Sequence, residues 1–504
     1  MLSGVPAKGL AEIVRFAYTG SLRCSLGNIS DVLIAATHLQ LTEATELCSH
    51  FLTSVTCASN CIHMYNLAEQ FNLPQLCTKS LGLIMDHFEV VAERGDYLHF
   101  SEKFLAQILE ENRVKSVSEL KLFQLALHWI NFKSPERLKF AYFLMSRIRF
   151  PLISPQELVE FVMNESIMKN DAQCLELVLE ANKYHMLPQK QPLMQNLRTQ
   201  VRSDKPCIML MDVDDEGPKV FDLARLTWGT LRVTHIETFH AQVCALQNYM
   251  YVCGGIELYS SNNPISAKCY RYDPRFNTWT DIYPMEEPRH HFILCSDGRS
   301  LFAIGGYCNG VYKNVVEQFV PKHGRWVKRK PMIFGVSAGA ATVLDGRIYV
   351  CGGQNERGIR RCLWRYTIKT DTWHECLPLH YARMDHTMCS AGNKLYAIGG
   401  YDKNIIKAFD INKIECYDTD TSQWSIVMEC APKISGIYSC QVGALVYIVG
   451  GFSYDENKKR SEVWCYNIET NEWQVIAKLV APTMSVPCAA LYLPCHVLRD
   501  IAMK

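Results

Sequence analysis

Five glycine pairs constrain this 504-residue chain more than any other feature: Gly254-Gly255, Gly305-Gly306, Gly352-Gly353, Gly399-Gly400 and Gly450-Gly451 stand 51, 47, 47 and 51 residues apart. A tryptophan follows each pair, at Trp279, Trp326, Trp373, Trp424 and Trp473, and Trp228 stands one repeat earlier with no glycine pair before it. Seven residues before these six tryptophans come Phe221, Tyr272, Phe319, Tyr366, Tyr417 and Tyr466. Several independent positions keep one period of ~50 residues, so the second half is built from a repeated unit that buries its apolar face only against its neighbours.

Each unit reads as all-β. Apolar runs such as Tyr249-Met250-Tyr251-Val252-Cys253 and Leu301-Phe302-Ala303-Ile304 lead into the glycine pairs. Turn sequences such as Asp345-Gly346-Arg347 precede them, and another short strand lies further upstream. The aromatic and the tryptophan mark a third and a fourth strand, so each unit has the four strands of one propeller blade. Tryptophan and tyrosine fill the space between blades, and the glycines stand where a side chain would clash or φ must be positive. Six tryptophans predict six blades. The first unit has room for three strands only, with Asp212-Val213-Asp214-Asp215 where its glycines should stand, while Pro487 to Leu493 reads as a strand without a partner. Ring closure is therefore expected between about residues 487–493 and 207–232, which removes two exposed edges.

Residues 1–200 have another texture: glycine and proline thin out and apolar residues recur at helical spacing, as at Phe123, Ala126, Leu127 and Ile130. Helices are predicted at about 8–17, 30–39, 42–53, 58–70, 74–86 and 118–131, with more between 135 and 185. Capping boxes at Ser116 to Glu119 and Ser154 to Glu157 support two of the starts. The polar stretch 188–205 reads as a linker, and 496–504 as a tail. The fold class expected is thus multidomain, helical first and then a six-bladed β-propeller over 206–495.

Several function classes are disfavoured. Lys plus Arg (52) nearly balances Asp plus Glu (51), so global charge implies neither nucleic acid nor an anionic membrane. No run of eighteen apolar residues and no signal-peptide layout occurs, which predicts a cytoplasmic or nuclear chain rather than a membrane-spanning one. None of the 22 cysteines forms a C-x-x-C, and Cys244, Cys295, Cys389 and Cys440 recur ten residues before a glycine pair, as core residues would. Gly335-Val336-Ser337-Ala338-Gly339 matches a nucleophile elbow, but it opens a blade strand where the elbow needs a strand–turn–helix. His290-His291 with Cys295 fits no zinc spacing, and His240 and His291 share one repeat position. No catalytic residue, metal or cofactor is expected.

The glycine, tyrosine and tryptophan pattern resembles kelch repeats, and the first half resembles the BTB and BACK regions of the kelch-like family. The latter likeness rests on Ile13 to Gly20, on Val32 to Leu52, and on Ser59-Asn60-Cys61-Ile62 followed by Leu67 to Leu73, which resembles the three-box. The implied domains are 1–54 (C-terminal part of a BTB domain), 55–187 (three-box and BACK), the linker and the propeller. A BTB domain runs to roughly 110–120 residues, within the usual domain range, and only about 55 precede the three-box here. The resemblance therefore implies that the first BTB strands, much of the dimer interface and a cullin-inserting motif lie outside this sequence. Homodimerisation, which the family form shows, and cullin recruitment are expected to be impaired in this chain.

What the resemblance implies about function is a substrate-recognition adaptor of a cullin-3 RING ubiquitin ligase, with residues 55–86 giving part of the cullin contact and Leu67, Phe71 and Leu76 mostly core. The alternatives are an actin-associated kelch scaffold, or a form that binds targets without recruiting cullin. The loops after the glycine pairs are the expected binding face, because rigid strands fix them as a crown. Tyr307, Tyr401 and Phe452 follow their glycine pairs directly and are candidate substrate-binding aromatics. The five loops carry a formal charge of +5, concentrated at Arg357, Arg360 and Arg361, so an acidic peptide segment is the expected ligand.

Overall fold

A computed structural model describes residues 4–114, 116–203, 205–211, 217–231, 238–257 and 264–503. The chain divides into two compact units, Met1–Ile153 with Glu157–Val178, and Ser154–Gln156 with Leu179–Lys504.

The first unit is helical, with helices at Ala7–Thr19, Ile29–His38, Thr42–Val55, Cys61–Phe71, Pro74–Asp86, Glu102–Glu110 and Glu119–Phe132 among others. Local chemistry sets their ends. Gly20 and Asn72 adopt left-handed φ just past two helices, and Pro74 opens the next. Ser118, rather than Ser116, caps the helix from Glu119 by accepting the Lys121 N–H at 3.3 Å. The first two helices touch at Gly9, where an added Cβ would lie 2.0 Å from the Asp31 carbonyl oxygen. Their core joins Val32, Leu33 and Ala36 to Cys48, Leu52, Leu67 and Leu76.

The second unit is a six-bladed propeller. Five blades are consecutive four-stranded antiparallel meanders, such as Ile293–Ser296, Leu301–Ile304, Val316–Val320 and Arg325–Arg329 in blade 3. Blade 1 takes its innermost strand, Cys488–Leu491, from the far end of the chain, where it pairs with Cys207–Leu210 in the register Met209↔Ala489. The segment 496–504 reads as a tail in the sequence, but its described residues, 496–503, are not free. A short helix, Cys495–Asp500, buries Val497 in the blade 1 core, and Ala502–Met503 adds a fifth strand outside Thr227–Thr230.

The repeat positions now have physical roles. The aromatic and the tryptophan seven residues on are cross-strand neighbours, as in Tyr272↔Trp279 and Tyr366↔Trp373, with ring centroids 4.9 Å apart in both. Tyr272, Tyr366 and Tyr466 are fully buried, while most of the tryptophans keep an exposed edge. Four indole N–H groups reach the preceding blade around the ring: Trp228 donates to the Lys478 carbonyl, Trp326 to Tyr283, Trp373 to Lys330 and Trp424 to Leu377, at 2.8–3.0 Å.

Each glycine pair is a seam between blades. The second glycine donates its N–H to a carbonyl in the connection to the next blade, Gly306 to Val336 at 2.7 Å and Gly353 to Arg383 at 2.8 Å. The first glycine lies under the same carbonyl: a Cβ on Gly305, itself at φ +66°, would meet the Val336 oxygen at 2.3 Å. That approach, repeated in each blade with a pair, excludes any side chain.

Residues 188–205, read from sequence as a linker, carry short 3₁₀ turns whose polar groups bond to blade 2. Arg275 donates to the Thr199 carbonyl (3.0 Å) and Gln195 Oε1 (2.6 Å), and Arg271 donates to the Pro188 carbonyl (2.9 Å). Part of the stretch is thus tied to blade 2 by hydrogen bonds, while Gln189, Lys190, Asn196 and Gln200 face solvent.

Candidate functional site

Two places in the molecule carry surface chemistry. The first is the propeller rim formed by the segments that follow the glycine pairs. These segments, read from sequence as loops, are small hairpins. They include Tyr307–Cys308 with Val311–Tyr312, Gln354–Asn355 with Gly358–Ile359, and Tyr401–Lys403 with Ala408–Asp410. Phe452–Ser453 pairs in the same way with Lys458 and Lys459. An isolated bridge to the preceding connection pins each one, as in His290↔Tyr307 and Met384↔Tyr401. The rim is thereby preorganised.

Tyr307, Tyr401 and Phe452 are all half-buried at the hairpin bases. Tyr401 and Phe452 are joined by a residue that sequence reasoning passed over: Tyr454 lies 4.1 Å from the Tyr401 ring and 4.9 Å from that of Phe452. Its position two residues beyond Phe452, at the start of the hairpin turn, was the available signal. Tyr307 belongs to a separate group, against Tyr312 at 5.0 Å and His290 at 5.6 Å. Beside Tyr401, the hairpin tip projects Ile405 and Ile406, which are 106% and 90% exposed. Asn404 Oδ1 holds that tip by accepting the Ile406 and Lys407 N–H groups at 2.9 Å.

The rim charge is less free than its sum suggests. Lys313 pairs with Glu287 at 3.0 Å, Lys413 with Glu429, and Arg460 with Glu456 at 2.8 Å. Arg357, Arg360 and Arg361 form no ion pair among the described residues, nor do Lys403, Lys407, Lys458 and Lys459. Of the three arginines, Arg357 and Arg361 are exposed and Arg360 is half-buried. The acidic stretch Asp212, Asp214, Asp215 and Glu216, between the first two strands that the chain contributes to blade 1, lies outside the described residues.

The sequence motifs that hint at chemistry resolve structurally. Ser337 of the G-x-S-x-G match is buried in a blade connection, bridged through its backbone to Gln354, and precedes strand Ala340–Leu344 with no helix following. His240, His290 and His291 cluster, with 4.0 Å between the His240 and His291 rings and 2.5 Å between the Nδ1 atoms of His290 and His291. Burial and the neighbouring imidazoles push His240 down to about 4 and His291 to about 3, so both are neutral at physiological pH. Cys295 is buried in the blade core. Among the described residues, no group of three or more His, Cys, Asp or Glu side chains is placed to hold a metal ion.

The second place is a groove of about 640 Å³ in the helical unit, bordered by Ala36, Thr37, Ser49, His50, Phe71 and Gln75. It opens where the helices Ile29–His38 and Thr42–Val55 meet the pair Cys61–Phe71 and Pro74–Asp86. Leu67 and Leu76 are core residues there, whereas half-buried Phe71 borders the groove.

A helical domain followed by a six-bladed propeller with glycine-pair seams and tyrosine–tryptophan hairpins defines a kelch-repeat protein. Comparison with known proteins refines this. Residues 1–56 match the BTB/POZ domain family and 61–163 the family described as BTB And C-terminal Kelch. Residues 238–286 and 288–333 match the Kelch motif, and 334–490 the KLHDC2/KLHL20/DRC7 Kelch-repeats domain. The chain is similar to Kelch-like protein 26 of Danio rerio, 32% identical over 98% of this chain and 83% of that relative. Kelch-like protein 26 of Mus musculus is 33% identical with the same coverage. Kelch-like protein 31 of Danio rerio is 30% identical over 99% of this chain and 80% of its own length. The chain belongs to the kelch-like, BTB–BACK–kelch family.

Proposed function

We propose that this chain is a substrate-recognition subunit of a cullin-3 RING ubiquitin ligase, with the propeller rim holding the target and the helical unit contacting the cullin. The observation that carries this reading is the order of matches along one chain, BTB, BACK and then kelch repeats, since kelch-like proteins are typically non-catalytic cullin-3 adaptors. The groove bordered by Phe71 supports a cullin contact there, because it is open and partly apolar. The protein's contribution is proximity: it raises the concentration of target lysines near the ubiquitin carrier and breaks no bond itself.

On the rim, the unpaired Arg357, Arg360 and Arg361 favour carboxylates, which guanidinium forks bind bidentately, and the Tyr401–Tyr454–Phe452 stack on the hairpins of the next two blades offers apolar contact. The target segment is accordingly an acidic peptide with an apolar anchor.

The test is retention of the cullin-3 N-terminal domain by the purified full chain. Retention, weakened about tenfold or more by Phe71→Glu, supports the reading; absence of retention both by this chain and by a form carrying a complete BTB domain overturns it. Reversing the three rim arginines to glutamate is expected to abolish capture of the target without unfolding the propeller. Intact capture would remove the acidic-ligand component alone.

A further inference from the structure

The six segments that enter the blades share one unusual backbone position. His240, His291, Ala338, Asp385, Gly436 and Ser485 all have left-handed φ, between +49° and +58°, and form a ring around the neck of the propeller channel. Backbone hydrogen bonds link neighbours in it: Ala338 N–H to the His291 carbonyl and Asp385 N–H to the Ala338 carbonyl, both 2.9 Å, and Ser485 N–H to the Gly436 carbonyl at 2.8 Å. The backbone conformation is shared, and what differs is the side chains. Two histidines close one side. On the other side Asp385 stands between alanine and glycine, the two smallest residues.

That arrangement leaves a niche. A cavity of about 140 Å³ lies in the neck, bordered by Asp385, Ser485, Ser439, Tyr438, Thr387 and Gln242. The Asp385 carboxylate lies deep in the neck yet keeps surface toward this space, and no hydrogen bond or ion pair reaches it among the described residues. Gln242 Nε2 donates to the Tyr438 hydroxyl at 2.7 Å and Thr387 bonds with Ser439, and neither contact reaches the carboxylate. Burial without a partner raises Asp385 to about 6, the signature of a carboxylate that lacks a counter-ion. A half-buried carboxylate with no counter-ion of its own is open to one supplied from outside the fold.

We propose that the neck of the propeller is a socket for one basic side chain of the bound partner, with Asp385 as its counter-ion. The volume suits a guanidinium or ammonium head, and Ser485 and Ser439 supply further acceptors for its N–H groups. This inference rests on the reading that the propeller captures a polypeptide. It makes the recognised segment bipolar, with a basic residue at the axis and acidic residues toward the Arg357 hairpin.

A random dodecapeptide display library panned at neutral pH against the full chain tests it. The expected result is a set of enriched peptides sharing one arginine or lysine, whose binding falls more than about tenfold in Asp385→Asn. Asp385→Ala copies Ala338 at the equivalent ring position and gives a second variant that the fold already accommodates. Both variants are expected to melt no lower than the parent, a combination of lost binding and kept stability that a structural residue would not show. Enriched peptides without a basic residue, or with one whose replacement by alanine is additive with Asp385→Ala, overturn the socket and leave partner capture standing. A library that yields no binder overturns partner capture, and the socket with it.

Discussion

Blades 3 and 5 and blades 4 and 6 solve one packing problem in opposite ways. In each, a residue from the connection beneath the preceding glycine pair packs toward the third strand of the blade it enters. In blade 3 these residues are Arg289 and Glu317, wholly buried and 2.6 Å apart; in blade 5 they are Arg383 and Glu415, with the same separation and burial. In blade 4 the same positions hold Val336 and Trp364, and in blade 6 Ile434 and Trp464, each within an apolar cluster. The ionic pairs also bond to the backbone. Arg289 Nη1 donates to the Gly305 and Val315 carbonyls, both at 3.1 Å, and Glu317 accepts the Glu286 and Glu287 N–H groups. Both solutions leave one N–H without a protein partner, Nε of each arginine and Nε1 of each tryptophan. One backbone thus accepts either, so the ion pair is a choice of side chain and not a requirement of the propeller.

The contrast is broken hardest by removing one partner. Glu317→Leu strands the wholly buried Arg289 guanidinium without its carboxylate, and loss of about 3–5 kcal/mol is expected in urea unfolding. Replacing both, as Arg289→Val with Glu317→Trp, copies blade 4 and should return stability to within about 2 kcal/mol of the parent, the remainder reflecting the two backbone N–H groups that lose Glu317. If the double variant were as unstable as the single one, the two solutions would not be interchangeable.

None of this alternation was legible in the sequence, because a lone Arg or Glu at a repeat position reads as surface charge. The repeat itself was legible because tryptophan, tyrosine and the glycine pair are each demanded by a contact recurring in most blades. Closure of the ring was also readable, from a blade short by one strand at one end and a spare strand at the other. The rim hairpins were not, since two-residue strands such as Tyr307–Cys308 have no period to detect. The neck was hidden as well: alanine and serine have no local preference for left-handed φ, and the backbone bonds at these positions join residues about fifty apart. Likewise the polarity of 188–205 was misleading, because the partners Arg271 and Arg275 are some eighty residues away.

The neck repeats the contrast between charged and neutral solutions and gives it a pH dependence. His240 and His291 stay neutral in the fold to about 4 and 3, whereas an unfolded histidine takes a proton near 6.5. The unfolded chain therefore binds more protons as pH falls below about 6.5, and stability is lost progressively until the folded-state values are reached. About 1 kcal/mol per histidine is expected between pH 7 and 5, given partial solvent access. Comparing urea midpoints at the two pH values for the parent and for His240→Gln with His291→Gln measures it. An unchanged slope in the double variant would place the acid sensitivity elsewhere.

The smallest effect separates blades by their tryptophans. Trp373 donates its Nε1 proton to the Lys330 carbonyl at 2.8 Å, whereas in blade 6 the equivalent Trp473 faces the Met428 sulfur at 3.2 Å. Sulfur is the weaker acceptor, and the ring stacking on Tyr366 and Tyr466 is nearly the same, at 4.9 and 5.0 Å. Phenylalanine at either position keeps most of the stacking and removes the N–H. Trp373→Phe leaves a carbonyl short of its donor, while Trp473→Phe leaves only a thioether, which has no need of one. Trp373→Phe should therefore be the more destabilising by about 0.5–1 kcal/mol. Equal losses would mean that the indoles hold neighbouring blades together through area alone, and that the hydrogen bond reaching back around the ring contributes nothing to cohesion between blades.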